Sequence, residues 1–166
     1  WIHGYNRFSL ENLIRGTLIN GNHGLFNHAS HAVNYVESHD GYTLGDFIRI
    51  ALKQSNRDRR YRSSSDATRM SDSELKLSRL AAMFLFVSQG ITMIHSGQEW
   101  GRAKVIHDPS GKDPSIGKLD HDSYNKDNGT NYLNFDDINL NKKLFDYYRG
   151  LIKLRKSSPA LRRAEA

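Results

Sequence analysis

Two short β-prone runs in this chain each end in a cluster of polar and ionisable side chains, and a well-signalled helix lies between them. The first run, residues 32–36, reads Ala-Val-Asn-Tyr-Val and passes directly into Glu37, Ser38, His39, Asp40 and Gly41. The second, residues 91–94, reads Ile-Thr-Met-Ile and passes into His95, Ser96, Gln98 and Glu99. Between them, Ser71 and Glu74 have the spacing of a capping box, in which each side chain serves a backbone N–H that the first helical turn leaves unpaired. Leu77, Leu80, Ala81, Phe84 and Leu85 then recur at helical intervals, which predicts a helix over residues 73–88 with Gly90 as its left-handed stop. Strand, crossover helix and strand form the right-handed unit of a parallel sheet. An open doubly wound sheet and a closed barrel both fit, and both put functional groups at the carboxyl ends of strands. The chemistry is therefore expected in residues 37–41 and 95–99, whichever fold is present.

The remaining segments read as follows. Thr43 and Asp46 give a cap-like start to a helix over residues 43–54, whose apolar stripe is Leu44, Phe47, Ile48, Ala51 and Leu52. Residues 56–72 are charged and Ser-rich without periodicity, which predicts an exposed or poorly ordered loop. Residues 101–139 are rich in Asp, Asn, Gly and Lys, and a loop of that length is usually functional or disordered. A last helix is predicted over residues 141–156, with Leu144, Tyr147, Tyr148, Leu151 and Ile152 on one face and Pro159 just beyond its end. Residues 1–30 read mostly as loop, with a short helix near Phe8, Leu10, Leu13 and Ile14 capped by Ser9.

At 166 residues and 37% hydrophobic content the chain can bury one core, yet a complete eight-fold β/α barrel needs about 250 residues. It has no cysteine, so disulfides and thiolate metal sites are excluded and the compartment stays open. The longest apolar stretch, residues 80–94, is broken by Ser88, Gln89 and Gly90 and falls short of the ~20 residues of a membrane span, so no membrane partner is expected. The net charge of +6 is concentrated in Arg57, Arg59, Arg60 and Arg62 and in Arg162 and Arg163, as in a solvated loop and a solvated end. No zinc-finger or ribonucleoprotein pattern accompanies it, so no nucleic-acid partner is expected; the rival reading, an anionic-polymer site in the Arg57–Arg62 cluster, predicts strongly salt-dependent binding. His28 and His31 lie three apart with no third ligand, and no metal or other cofactor is assigned. The chain opens at Trp1 with no initiating Met and no export signal, as expected of a piece of a longer protein.

Residues 36–46, Val-Glu-Ser-His-Asp-Gly-Tyr-Thr-Leu-Gly-Asp, resemble the fourth signature region of the α-amylase superfamily in its debranching branch, the pullulanase, isoamylase and glycogen-debranching type. Residues 89–100 resemble that family's last barrel strand, and Ser123, Tyr124, Asn125, Lys126 and Asp127, followed by residues 131–134, resemble the loop after it. The resemblance covers roughly residues 33–159. It implies an α/β fold, the C-terminal portion of a (β/α)8 barrel: residues 1–31 as lead-in, 32–156 as strand seven to helix eight, and 157–166 as an exit toward a following domain. The helix after Thr43 becomes an insertion beyond strand seven. Gly41 matches the isoamylase form, whereas Gln98, Glu99 and Trp100 match the pullulanase form, so the subfamily stays open.

The activity implied is retaining hydrolysis of α-1,6 branch links in pullulan, glycogen or branched dextrins. Asp40 matches the carboxylate that stabilises the transition state, His39 binds sugar beside it, and Tyr124 and Asn125 match substrate-binding positions; the family's following Asp falls at Asn128 here, and Asp127, one residue earlier, is carried in its place. An ionised Asp only accepts hydrogen bonds and a His can donate, so the pair suits vicinal hydroxyls; bonds that strengthen in the oxocarbenium-like transition state raise kcat. The family's nucleophile and general acid lie on earlier strands that nothing in residues 1–30 resembles, so the chain alone is expected to be inactive. Two strands without neighbours would expose sheet edges, so the isolated piece is expected to aggregate, unfold in part, or pair with the rest of the barrel or a partner chain. The alternative function is a non-catalytic glucan-binding or structural module derived from the barrel. Glu37 reads equally as a site group or as a structural hydrogen-bonding group below the site, His95 and Glu99 read as structural groups, and Trp100 as either a sugar platform or a packing residue.

Overall fold

The computed structural model describes residues 11–162 apart from Leu13, residues 20–23 and Arg57. In chain order its elements are β1 (Val33–Asn34), α1 (Leu44–Ala51), α2 (Ser64–Thr68), α3 (Asp72–Val87), β2 (Ile91–Thr92), α4 (Lys142–Ser157) and α5 (Pro159–Arg162), with 3-10 turns at Ala29–His31, Gln98–Trp100 and Phe135–Asn141. The helix expected near Phe8 lies outside the described residues, except that Glu11, Asn12 and Ile14 are helical. Among the described residues no helix is long and apolar enough to cross a membrane. Backbone contacts divide the chain into two compact units, one drawn from Trp1–Val36, Leu80–Met93 and Tyr148–Ala166, the other from Glu37–Arg79 and Ile94–Tyr147.

In the first unit β1 and β2 pair in parallel, with Val33 opposite Ile91 and Asn34 opposite Thr92. Parallel strands need a crossover, and α3 lies in it. Gly90 makes the entry to β2 possible: its φ is +107°, and a Cβ there would sit 2.7 Å from the Ala32 carbonyl oxygen. Gly90→Ala is expected to cost about 2–4 kcal/mol, from a strained backbone and a backbone clash together. An unchanged urea midpoint for that variant would disprove the close approach. Arg155 closes the C-terminal end of α3, donating from Nη1 to the carbonyls of Phe86 (2.6 Å) and Ser88 (2.8 Å) and from Nη2 to Gly90 (2.6 Å). Those carbonyls have no partner inside the helix, and a cation suits the negative end of its dipole. Behind them Phe86 meets Tyr148 edge to face, with ring centroids 5.9 Å apart.

Residues 91–94 are not the buried strand that their composition predicts. Ile91 and Met93 are exposed, as are Val33 and Tyr35 on the paired strand. Among the described residues each strand has one paired neighbour, and the pairing spans two residues apiece.

In the second unit the capping signals act as read. Thr43 Oγ1 accepts from Asp46 N (3.0 Å) at the start of α1. Ser71 N donates to Glu74 Oε2 (2.6 Å), and Glu74 N donates to Ser71 Oγ (3.4 Å), at the start of α3. Residues 56–72, expected as an exposed or poorly ordered loop, are exposed at most described positions but also contribute α2 and part of the core. Tyr61 and Ala67 pack with Ala103, Val105 and Leu119, and Tyr42 and Ile50 lie against them. The long 101–139 segment forms the other wall through an antiparallel bridge between Val105 and Leu119. Tyr61 N donates to Gly117 O (2.7 Å) and Arg60 Nη2 to Pro114 O (2.6 Å), so the two irregular segments hold each other.

The buried face of α1 also differs from its apolar stripe. Leu44 and Ile48 are buried, but Phe47 is exposed, while Asp46 (0% exposed) and Arg49 (2%) are inside. A buried ion pair carries part of what periodicity assigned to Phe47.

Candidate functional site

The site is a short loop, residues 37–43, tied at both ends. Glu37 is buried, and its Oε2 accepts the backbone N–H of Leu44 (2.9 Å), one of the unpaired donors of the first turn of α1. Its Oε1 lies 2.8 Å from Nδ1 of His95, which fixes that ring to the same carboxylate. Glu37 and His95 thus hold each other and the start of α1. Between the tied ends the chain turns outward. His39 and Asp40 are each 71% exposed, and His39 Nε2 is 3.4 Å from Asp40 Oδ1. Gly41 closes the turn with φ +70°, a conformation costly for a residue with a Cβ.

Lys104 supports this turn from below. It is 1% exposed, and its ammonium donates to the carbonyl oxygens of His39 (2.7 Å) and Gly41 (3.4 Å). Its own backbone is fixed on both sides: Lys104 N donates to Asp46 Oδ2 (2.9 Å), and Lys104 O accepts from Asp120 N (2.9 Å). Asp120 continues the connection, accepting from Lys126 Nζ (2.6 Å) and from Asp122 N (2.8 Å). Asn131 then closes the loop of residues 123–131, donating from Nδ2 to the carbonyls of Ser123 (2.6 Å) and Lys126 (2.8 Å). This loop presents Tyr124, Asn125 and Asp127, all exposed. The ring of Tyr42 meets His121 edge to face at 5.4 Å, a second tie between the two loops. The five residues singled out in sequence therefore lie on two loops of one unit. His39 contacts Asp40; among the described residues no hydrogen bond or ion pair joins either of them to Tyr124, Asn125 or Asp127.

Buried charge underlies the mount. Arg49 Nη1 donates to Asp46 Oδ1 (2.9 Å) and Nη2 to Thr68 O (3.0 Å), and Nε lies 3.7 Å from Glu74 Oε1. Burial pushes the Asp46 carboxyl up to about 6, against the opposing pull of Arg49 and of its hydrogen bonds. Burial likewise lowers Lys104 from its ordinary value, assisted by Arg102 and opposed by Glu37, Asp120 and Asp46. None of Asp46, Arg49, Lys104 or Asp120 was marked as part of a site by sequence. Asp46 and Arg49 stand three residues apart on α1, but much of what they and Lys104 bond to besides each other, Thr68 O and His39 O among it, is 19 to 65 positions away.

Trp100 is buried, with Phe135 tilted against it at 5.4 Å, so it packs beneath the loop and offers no open face. His28 accepts from Ser30 N (3.2 Å) as a turn cap, and among the described residues no cluster of three or more His, Cys, Asp or Glu could hold a metal ion.

No family model matches the chain. A pullulanase of Bacillus subtilis (strain 168) is 37% identical to it over 133 residues, which is 80% of this chain and 15% of that protein. The crystal structure of a pullulanase from Paenibacillus barengoltzii, complexed with maltohexaose and alpha-cyclodextrin, superposes with a TM-score of 0.72 at 27% identity, covering 98% of this chain. The segment is pullulanase-like. Pullulanase A of Streptococcus pneumoniae serotype 2 (strain D39 / NCTC 7466) agrees, at 29% identity over 157 residues. The chain spans about 15% of the Bacillus pullulanase, 12% of the pneumococcal one and 22% of the Paenibacillus chain. Its small sheet, helices and long ordered loops share the fold of one part of the pullulanase structures.

Proposed function

We propose that this segment is the C-terminal part of the catalytic (β/α)8 barrel of a retaining α-glucan hydrolase that cuts α-1,6 branch links. β1 and β2 are its seventh and eighth strands, and the remainder of the barrel covers the exposed side chains of Val33, Tyr35, Ile91 and Met93. The observation that carries the reading is the outward pair His39 and Asp40 on a turn whose ends are locked by buried Glu37 and Lys104. A carboxylate and an imidazole so presented hold adjacent sugar hydroxyls by accepting and donating, and preorganised groups lose little in reorganisation when charge develops on the ring. Tyr124 offers an aromatic face to a sugar, while Asn125 and Asp127 offer polar contacts. The Paenibacillus pullulanase was crystallised with α-glucan oligosaccharides, which supports that substrate class. The nucleophile and general acid belong to other strands of the full-length protein.

The full-length protein carrying the segment is expected to generate new reducing ends from pullulan, while residues 1–166 alone generate none. A full-length protein that binds pullulan without cleaving it would sink the hydrolase reading and leave the non-catalytic glucan-binding module in its place.

A further inference from the structure

We propose that Lys104 is a positioning residue: its ammonium, held between the carbonyls of His39 and Gly41, fixes the turn so that the Asp40 carboxylate stands where the reacting sugar requires it. The inference rests on the reading of Asp40 as the transition-state stabiliser.

Apart from the ties at its ends and the bond from Asp40 N to Ser38 Oγ (3.3 Å), the tip of the turn is open. The Asp40 side chain is exposed, and among the described residues its one ion-pair contact is to His39 at 3.4 Å. Gly41 has open space around its Cβ position and a positive φ, so neither packing nor local backbone preference holds the carboxylate. The two carbonyls that Lys104 grips flank Asp40 in sequence, so one ammonium spans the residue that does the work. Charge-assisted hydrogen bonds of this kind are stronger than neutral ones. The grip is also anchored, because the Lys104 backbone is bonded to the buried carboxylate of Asp46 on one side and to Asp120 on the other.

The choice of residue is informative. Among the described residues no carboxylate lies within ion-pair distance of the Lys104 ammonium, although its side chain is buried. Burying a cation without a direct partner is unfavourable, and a methionine of similar shape would fill the same space without that penalty. A group needed only for packing would not be charged. What the charge adds is the clamp on the turn, and a displacement of about 1 Å at a reacting centre can cost about a hundredfold in rate.

The test uses the full-length protein, with kcat and KM on pullulan measured well below the unfolding temperature for wild type, Asp40→Asn, Lys104→Met and Lys104→Gln. Lys104→Met is expected to lower kcat about tenfold or more with KM within about twofold. Lys104→Gln, whose amide is one atom shorter and cannot span both carbonyls, is expected to do the same, and it carries the comparison if the methionine variant fails to fold. If either folded variant keeps wild-type kcat while Asp40→Asn loses activity, the positioning role is overturned and the reading of Asp40 stands. If Asp40→Asn itself keeps wild-type kcat, the reading of Asp40 falls and the role of Lys104 falls with it.

Discussion

Asp40→Asn in the full-length protein is expected to lower kcat on pullulan about 10²- to 10³-fold, with KM changed only a few-fold and the unfolding temperature unchanged. The substitution keeps the shape of the side chain and removes its charge. An ionised carboxylate can accept from two sugar hydroxyls, whereas an amide accepts through one oxygen and turns a donor toward the other. The loss is felt most where positive charge builds up on the ring, so it belongs to the transition state and registers in kcat. Stability is spared because the side chain is 71% exposed and buries no contact of consequence. Steady-state kinetics and a thermal melt on the same preparation decide the matter. A kcat within twofold of wild type would exclude the transition-state role, and an equal loss of kcat and unfolding temperature would mark Asp40 as a structural residue.

The second large effect concerns stability. Arg49→Met is expected to destabilise the fold by about 3–5 kcal/mol at pH 8, and by less at pH 5. The guanidinium bridges Asp46 and Glu74 in the interior and donates to the carbonyls of Thr68 and, at 3.4 Å, Gly101. Deleting it leaves two buried carboxylates without their ion-pair partner and two carbonyls with a lost donor, and such a remainder costs more than the ion pair contributed. The pH dependence follows from Asp46. In the wild type its carboxyl is raised from 3.8 to about 6 by burial, so the folded chain binds that proton more tightly than the unfolded one. Its contribution is fully present below 3.8 and is lost as the pH rises through about 6. Arg49 pulls this carboxyl down, so its removal shifts the folded value further up and extends the loss to higher pH. At pH 5 Asp46 in the variant is neutral and tolerates its burial; as the pH rises the cost of keeping it buried grows. Urea midpoints of both proteins at the two pH values should therefore diverge upward. A gap of equal size at both would remove Asp46 from the account.

The features that the sequence revealed are those whose partners are near in the chain. Thr43 with Asp46, Ser71 with Glu74, the glycine at 90 and the helix at Lys142–Ser157 all depend on spacings of a few residues, and each stands where spacing put it. The parallel pairing of the two β-prone runs followed from their order around a crossover helix. Residues 56–72 show the opposite case. Nothing in their composition announces a core, yet Tyr61 and Ala67 are buried because the 101–139 segment folds over them. Asn141 is another: it accepts from Met70 N (3.2 Å) and donates to Thr68 O (2.7 Å) and Trp100 O (2.9 Å), groups 41 to 73 positions away.

The amino-acid order by itself determined the three longer helices, the capping signals of the first two, the strand-ends that carry polar groups, and the pair His39 and Asp40 with the likeness it bears. Only the tertiary structure decided which charges lie inside. Asp46 and Arg49 sit on a helix whose apolar periodicity assigns its inner face to other residues, and Lys104 lies in a long polar loop where nothing marks it for burial. The physical reason is that an ionised side chain is buried only where distant groups supply its counter-charge or hydrogen bonds, and those groups meet only once the chain has folded.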